Sequence, residues 1–234
     1  MLAANAVPAP LRVILFASRR SGSTYLVDLL RSDPHQRVLM HGELFHVTDL
    51  KDPIDGYAGR GEHPSEDAFE FRRKNPLAML DFISCHSEGR PAVGFKMFHD
   101  HTRPEKWALM ASWCDVCVVL ARKDQPAQFR SYSIARRTGR WKGRSNWSSL
   151  PAVAMPAADN VTYVSDFAHW KRTQKAWYRR LDELLAQRRN ATIVHLNYER
   201  HLLSRRPPNL TALWQALASQ EKAPASARCA THRV

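Results

Sequence analysis

Arg12-Val-Ile-Leu-Phe-Ala-Ser-Arg-Arg-Ser-Gly-Ser-Thr-Tyr-Leu26 decides how this chain begins to fold. Val13 to Ala17 form a short continuous apolar run, the pattern of a strand buried on both faces. Tyr25, Leu26, Leu29 and Leu30 then recur at helical spacing, so Ser18 to Thr24 is a turn joining a strand to a helix. Gly22 lets the backbone turn tightly and come close to a ligand, and the first N–H groups of the helix have no partner within it. Such a turn is an anion cradle. Ser21, Ser23 and Thr24 add hydroxyl donors, while Arg19 and Arg20 add charge and a fork geometry suited to phosphate or sulfate oxygens. The plain alternative is a helix cap, with Ser21 or Ser23 capping and Arg20 in solvent. A nucleoside-triphosphate loop of the form G-x-x-x-x-G-K-[ST] does not fit, because Ala17 stands at its leading glycine and Ser23 at its lysine.

Outward from this turn, Val38 to Phe45 reads as a short strand ending in a loop, and residues 46–75 as a polar, irregular excursion. Pro76 to His86 is expected to be helical, Ala92 to Phe98 a strand, Glu105 to Trp113 a helix, and Val116 to Ala121 a second deeply buried strand. A basic helix from about Gln125 to Arg137 follows, then a loop or lid over 140–160 and a long amphipathic helix from about Ser165 to Arg188. On that helix Trp170, Gln174, Trp177, Leu181, Leu184 and Leu185 share one face, a stripe that reads as core packing. Ala191 to Leu196 is a last strand and Asn209 to Ala218 a last helix. The alternation of strand and helix predicts an α/β fold with a parallel sheet flanked by helices and ligands at the carboxyl ends of the strands.

With 234 residues and 44% hydrophobic content, the chain suits one domain, with a core over about 12–218 and flexible tails at 1–10 and 222–234. Its 35 Lys and Arg against 22 Asp and Glu leave a net charge of +13, which calls for an anionic ligand, nucleic acid or an acidic surface. The densest basic cluster, Arg136 to Arg144, interleaves aromatic and basic residues as a nucleic-acid segment does, but no nucleic-acid-binding motif accompanies it. No run of 18 or more apolar residues occurs, and Met1 to Pro10 is too short for a secretory signal, so the expectation is a cytoplasmic protein without a transmembrane segment. Asn146, Asn160, Asn190 and Asn209 each open an N-x-[ST] triplet, which keeps a secretory lumen as the minor alternative. Cys114-Asp-Val-Cys117 has no second paired motif, and its cysteines are expected to be buried or idle thiols rather than a site of zinc or redox chemistry.

Arg122 leaves the carboxyl end of the second buried strand and Ser131 lies on the next helix, so a parallel sheet would let both converge on a second anion. The plain alternative is a surface ion pair between Arg122 and Asp124. Together the two cradles resemble those of the sulfotransferases that use 3′-phosphoadenosine 5′-phosphosulfate (PAPS). There a strand-loop-helix near the N-terminus holds the 5′-phosphosulfate, and a later arginine and serine hold the 3′-phosphate. Arg20-Ser-Gly-Ser-Thr24 matches the first motif, with arginine where many eukaryotic cytosolic members have lysine, and Arg122 with Ser131 matches the second. The wording of both motifs, with Thr138-Gly-Arg-Trp141 after the second, is most similar to the bacterial branch that includes trehalose and Nod-factor sulfotransferases. The resemblance covers roughly residues 12–200 and includes Tyr198-Glu199 after the last strand.

What the resemblance implies is a three-layer sandwich with a central parallel sheet, the P-loop-like sulfotransferase fold. It further implies PAPS as donor, adenosine 3′,5′-bisphosphate (PAP) as product, no metal, and a hydroxyl of a small molecule or glycan as acceptor, with no nucleic acid as partner and a homodimer left open. Arg19, Arg20, Ser21, Gly22, Ser23, Thr24, Arg122 and Ser131 would hold the donor. Glu43, in Met40-His-Gly-Glu-Leu-Phe45, is the candidate base, by analogy with a glutamate at a similar place in the bacterial branch. In the Lys-Thr-His of eukaryotic cytosolic members the histidine is the base. Here Lys96 matches the lysine and could touch the transferring group, while Phe98 occupies the histidine position and His99 lies one residue out of register. His99 and His101 are second choices as base, and also candidates for an acceptor site or a structural role. Two other classes stay open: a phosphate-loop small-molecule kinase, and a basic nucleic-acid-binding module.

Overall fold

The computed structural model describes residues 9–46, 74–139, 141, 161–203 and 208–221. Its strands are β1 (Leu11–Ala17), β2 (Val38–Met40), β3 (Ala92–Met97), β4 (Val116–Ala121) and β5 (Thr192–Asn197). The helices are α1 (Ser23–Arg31), α2 (Pro76–Cys85), α3 (Trp107–Trp113), α4 (Gln125–Thr138), α5 (Val161–Ala186) and α6 (Thr211–Glu221). All five strands run parallel in the order β2-β3-β1-β4-β5, with Val13 opposite both Gly94 and Val116.

β1 lies at the centre of this sheet, and its side chains alternate between two cores, as the period of a strand requires. Ile14 and Phe16 pack with Met79, Leu80 and Ile83 of α2, Met110 and Trp113 of α3, and Trp177 and Leu181 of α5. Val13, Leu15 and Ala17 pack with Leu26, Val27 and Leu30 of α1 and with Leu213 and Leu217 of α6. Helices on both faces of a parallel sheet make a three-layer α/β sandwich. The chain leaves β1 toward one face, where α1 packs, while α3, which follows the neighbouring strand β3, and α5, which follows β4 by way of α4, lie on the other. A crevice therefore opens at the carboxyl end of β1, the place where open parallel sheets bind ligands.

Boundaries follow the sequence reading closely, and the stripe on α5 is buried as expected. Three local expectations change. Tyr25 is 46% exposed, because at 100° per residue Leu26, Val27 and Leu30 form the inward face and Tyr25 falls on its flank. The strand at Val38 stops after three residues, and its pairing continues irregularly through His41 N–H to Gly94 O (2.7 Å) and Lys96 N–H to Gly42 O (3.0 Å). Cys114 and Cys117 are joined as a disulfide rather than standing as idle thiols, since the turn between α3 and β4 brings the two buried side chains together. The excursion at 47–73, the loop at 142–160 and the tail from 222 lie outside the described residues.

Gly94 shows how tightly β3 is wedged. A Cβ there would run into the Val13 carbonyl and lie 2.8 Å from Val13 Cβ and 3.0 Å from Met40 Sδ, all on adjoining strands. Gly94→Ala is expected to destabilise the fold by about 1–3 kcal/mol, read as a lower urea midpoint. An unchanged midpoint would mean that β1 and β2 yield more easily than this packing implies.

Candidate active site

The turn after β1 uses two left-handed residues, Arg20 (φ 64°) and Gly22 (φ 90°). Gly22 is the residue before α1, with no side chain capping the helix, so the alternative in which Ser21 or Ser23 serves as cap is not adopted. Ser21 is fully buried, and its Oγ has no hydrogen-bond partner among the described residues. The glycine is required for a second reason. The ring of Tyr198, just beyond β5, lies where a Cβ on Gly22 would stand. Beneath the turn, Gln128 Nε2 donates to Ser18 Oγ (2.7 Å) and to Arg19 O (2.8 Å). The Tyr178 hydroxyl spans Ser18 Oγ (3.1 Å) and Leu120 O (2.8 Å). Burial pushes that hydroxyl up to about 12, so it stays a donor at any physiological pH.

The second predicted cradle meets the first. Asp124 caps α4 by accepting from Ala127 N–H (2.9 Å), rather than pairing with Arg122. Arg20 Nε donates to Ser131 Oγ (2.8 Å), and Arg122 Nη1 to the Arg20 carbonyl (3.4 Å). Tyr198 and Glu199 lock this arrangement. The Arg122 guanidinium lies 4.8 Å from the Tyr198 ring centre, and the Glu199 carboxylate accepts the N–H groups of Lys123 and Asp124, each at 3.0 Å. Burial, and then the charge of Arg122, work against the Arg20 cation and lower its pKa. Two guanidinium groups held side by side, next to free helix N–H groups and an unpartnered hydroxyl, form a site that an anion would relieve.

A third group of side chains stands beside the turn because β2 and β3 end together. Lys96 Nζ donates to Thr24 Oγ1 (2.9 Å) and lies 3.0 Å from Glu43 Oε1. The other carboxylate oxygen faces His101 Nε2 at 3.4 Å and His46 Nε2 at 3.8 Å. Burial alone would raise the Glu43 carboxyl, but His101 and the nearby Lys96 charge more than reverse this and hold it at about 2. Arg19 pairs with Asp100 (2.9 Å) and reaches His46 Nε2 at 3.3 Å, so loops from β1, β2 and β3 share one polar network.

Glu43, His46 and His101 bring three ligand atoms within 4.8 Å of one another, close enough to consider a metal ion. The hydrogen bonding argues against one. Phe98 N–H points at His101 Nδ1 (3.3 Å), which leaves the ring proton on Nε2, the atom that would have to offer a lone pair. His101 Nε2 instead faces Glu43 Oε2 at 3.4 Å without closing a hydrogen bond to it, and burial lowers the His101 pKa.

The fold thus gathers Arg19, Arg20, Ser21, Gly22, Ser23, Thr24, Glu43, Lys96, Arg122 and Ser131 at one edge. His99 turns elsewhere, its ring 6.3 Å from that of Trp177, as a one-residue shift at a strand end implies. His101 takes the place beside the carboxylate. His46 and Tyr178 were missed by sequence reasoning, while Gln128 entered it only as a position of the motif Arg122-x-Asp-x-x-x-Gln-x-x-Ser131, with no role given. His46 carried a signal, its spacing in Glu43-x-x-His46; nothing local marks Tyr178 as a support of a turn 160 positions away. The basic cluster at 136–144 is described only for 136–139 and 141. No family model matches the chain, and no curated protein is significantly similar to it.

Glu43 ties stability to pH. Its folded value of about 2 lies below the unfolded value near 4.3, so its contribution is present above the unfolded value and is lost as pH falls toward 2. Between pH 5 and pH 3, the urea midpoint of the native chain is expected to fall further than that of Glu43→Gln. Equal falls would show that Lys96 and His101 do not favour the charged carboxylate.

Proposed function

We propose that this chain is a PAPS-dependent sulfotransferase acting on a hydroxyl of a carbohydrate, glycolipid or other small acceptor. The observation that carries the reading is the contact between the two cradles: Arg20 on Ser131 and Arg122 on the Arg20 carbonyl put two phosphate-recognising surfaces next to each other. A ligand with separate anions on the 3′ and 5′ oxygens of one ribose suits such a pair. A nucleoside triphosphate, with all its phosphates in one chain, needs only the first cradle. The fold is the one expected for a nucleotide at the carboxyl edge of a parallel sheet.

In this reading the acceptor oxygen attacks sulfur as the bond from sulfur to the 5′-phosphate oxygen breaks, and the acceptor proton passes to Glu43. Arg20, Lys96 and the start of α1 meet the charge that builds on the leaving bisphosphate. A carboxylate at about 2 is a weak base, and Lys96 is one of the two groups that hold it there. Movement of Lys96 from Glu43 onto the donor would raise Glu43 toward a useful range at the moment it is needed. Gln128 and Tyr178 act as positioning residues for the turn.

Calorimetry with PAP, set against ATP and magnesium, tests the reading directly. PAP is expected to bind, and Arg122→Ala and Arg20→Ala each to weaken it by about 10- to 100-fold. ATP binding tighter than PAP binding would favour a kinase instead. With radiolabelled donor, Glu43→Gln is expected to lower turnover by about 10²–10⁴-fold with PAP affinity retained. Loss of affinity in that variant would remove Glu43 from the base role.

A further inference from the structure

The two oxygens of Glu43 have different surroundings. Oε1 lies 3.0 Å from Lys96 Nζ, the cation that the proposed reaction draws away to the donor. Oε2 faces two imidazoles, His101 Nε2 at 3.4 Å and His46 Nε2 at 3.8 Å. Those two nitrogens differ in what they can offer. A guanidinium can only donate, so the 3.3 Å contact from Arg19 Nη2 makes His46 Nε2 an acceptor. At His101 the reverse holds: Phe98 N–H donates to Nδ1 at 3.3 Å, and in the neutral ring the proton therefore lies on Nε2.

That proton faces the carboxylate without reaching it. His101 Nε2 is buried and has no hydrogen-bond partner among the described residues. The ring is held in place on several sides: Phe98 N–H binds its Nδ1, its own main-chain N–H donates to Phe98 O at 3.2 Å, and the rings of Phe98 and His46 stand 4.8 and 5.3 Å away. A buried donor without an acceptor is unfavourable, so a small movement of Glu43 toward the fixed ring is favoured once nothing holds the carboxylate back. What holds it back is Lys96, anchored in turn on Thr24 Oγ1 at 2.9 Å. The other charged groups nearby, Arg19 and Asp100, pair with each other at 2.9 Å.

We propose that His101 is the positioning residue for Glu43: when Lys96 leaves Oε1, the carboxylate settles through Oε2 onto His101 Nε2–H, and Oε1 is the oxygen that takes the acceptor proton. A neutral donor orients a carboxylate while depressing its basicity less than a cation does. Exchanging Lys96 for His101 thus frees the base without letting it turn away. The choice of Oε1 as proton acceptor rests on the transferase reading above; the exchange of partners does not, so the test separates them.

The full chain carrying Lys96→Met stands for the state with the lysine withdrawn, and the Glu43 carboxyl is titrated by ¹³C NMR with no donor present. In that background His101→Ala is expected to raise the Glu43 half-titration point by about 1 pH unit, and His101→Gln, whose amide nitrogen replaces the donor, by less than half as much. An unmoved value in the alanine variant, or a glutamine variant shifted as far as alanine, overturns the proposal. If the variants do not fold, ¹⁵N-histidine spectra of the native chain at pH 7 decide: the Nε2–H tautomer is expected for His101, its proton moving downfield when PAP is added. An Nδ1–H tautomer, or PAP that binds without moving the proton, overturns the proposal. PAP that does not bind removes the transferase reading and leaves the partner exchange to be decided by the tautomer and the titration.

Discussion

The closeness of Tyr198 to Gly22 governs the whole ligand-facing edge. The ring occupies the volume a side chain would need, so the turn after β1 and the segment after β5 can approach only because residue 22 has no Cβ. Tyr198 also supports the Arg122 guanidinium, and the adjacent Glu199 takes two main-chain N–H groups of the turn after β4. One close contact thereby sets the relation between three strand ends, and the distances at which Arg20, Arg122 and Ser131 meet depend on it.

Around that contact the charges are arranged in unequal compartments. On one side the charge of Arg122 acts against that of Arg20, with the Glu199 carboxylate 3.7 Å from Arg122 Nε. On the other, Glu43 sits among Lys96, His46 and His101 and stays ionised far below its ordinary range. The excess of positive charge in the chain is thus not spread uniformly in its effect: near the turn it is concentrated where helix N–H groups also point, and beside β3 it is offset by one carboxylate. In the proposed function, an anion entering the first compartment would compete with Glu43 for Lys96 and so couple binding at one end of the site to basicity at the other.

Much of this edge could be read in advance because it is local. The apolar run Val13 to Ala17 has the pattern of a strand buried on both faces, and Gly22 between hydroxyl residues suits a tight turn into a helix. The same locality explains the errors. Tyr25 recurs with Leu26, Leu29 and Leu30 at helical spacing yet falls on the exposed flank of α1, and Gly22 rather than a turn serine stands at the cap of that helix. Cys114 and Cys117 looked like separate thiols because the bend between α3 and β4 is not written in their spacing.

The sequence by itself determined the two motif-bearing turns, the strand and helix alternation and the net positive charge, all of which rest on neighbouring residues and on composition. Only the tertiary structure decided which side chains meet across the edge: that Arg20 reaches Ser131 rather than solvent, that His101 and not His99 stands beside Glu43, and that Gln128 and Tyr178 hold Ser18 from below. Those choices depend on strand order and register, which bring together residues more than 50 positions apart and flip a side chain to the other face with a shift of one residue.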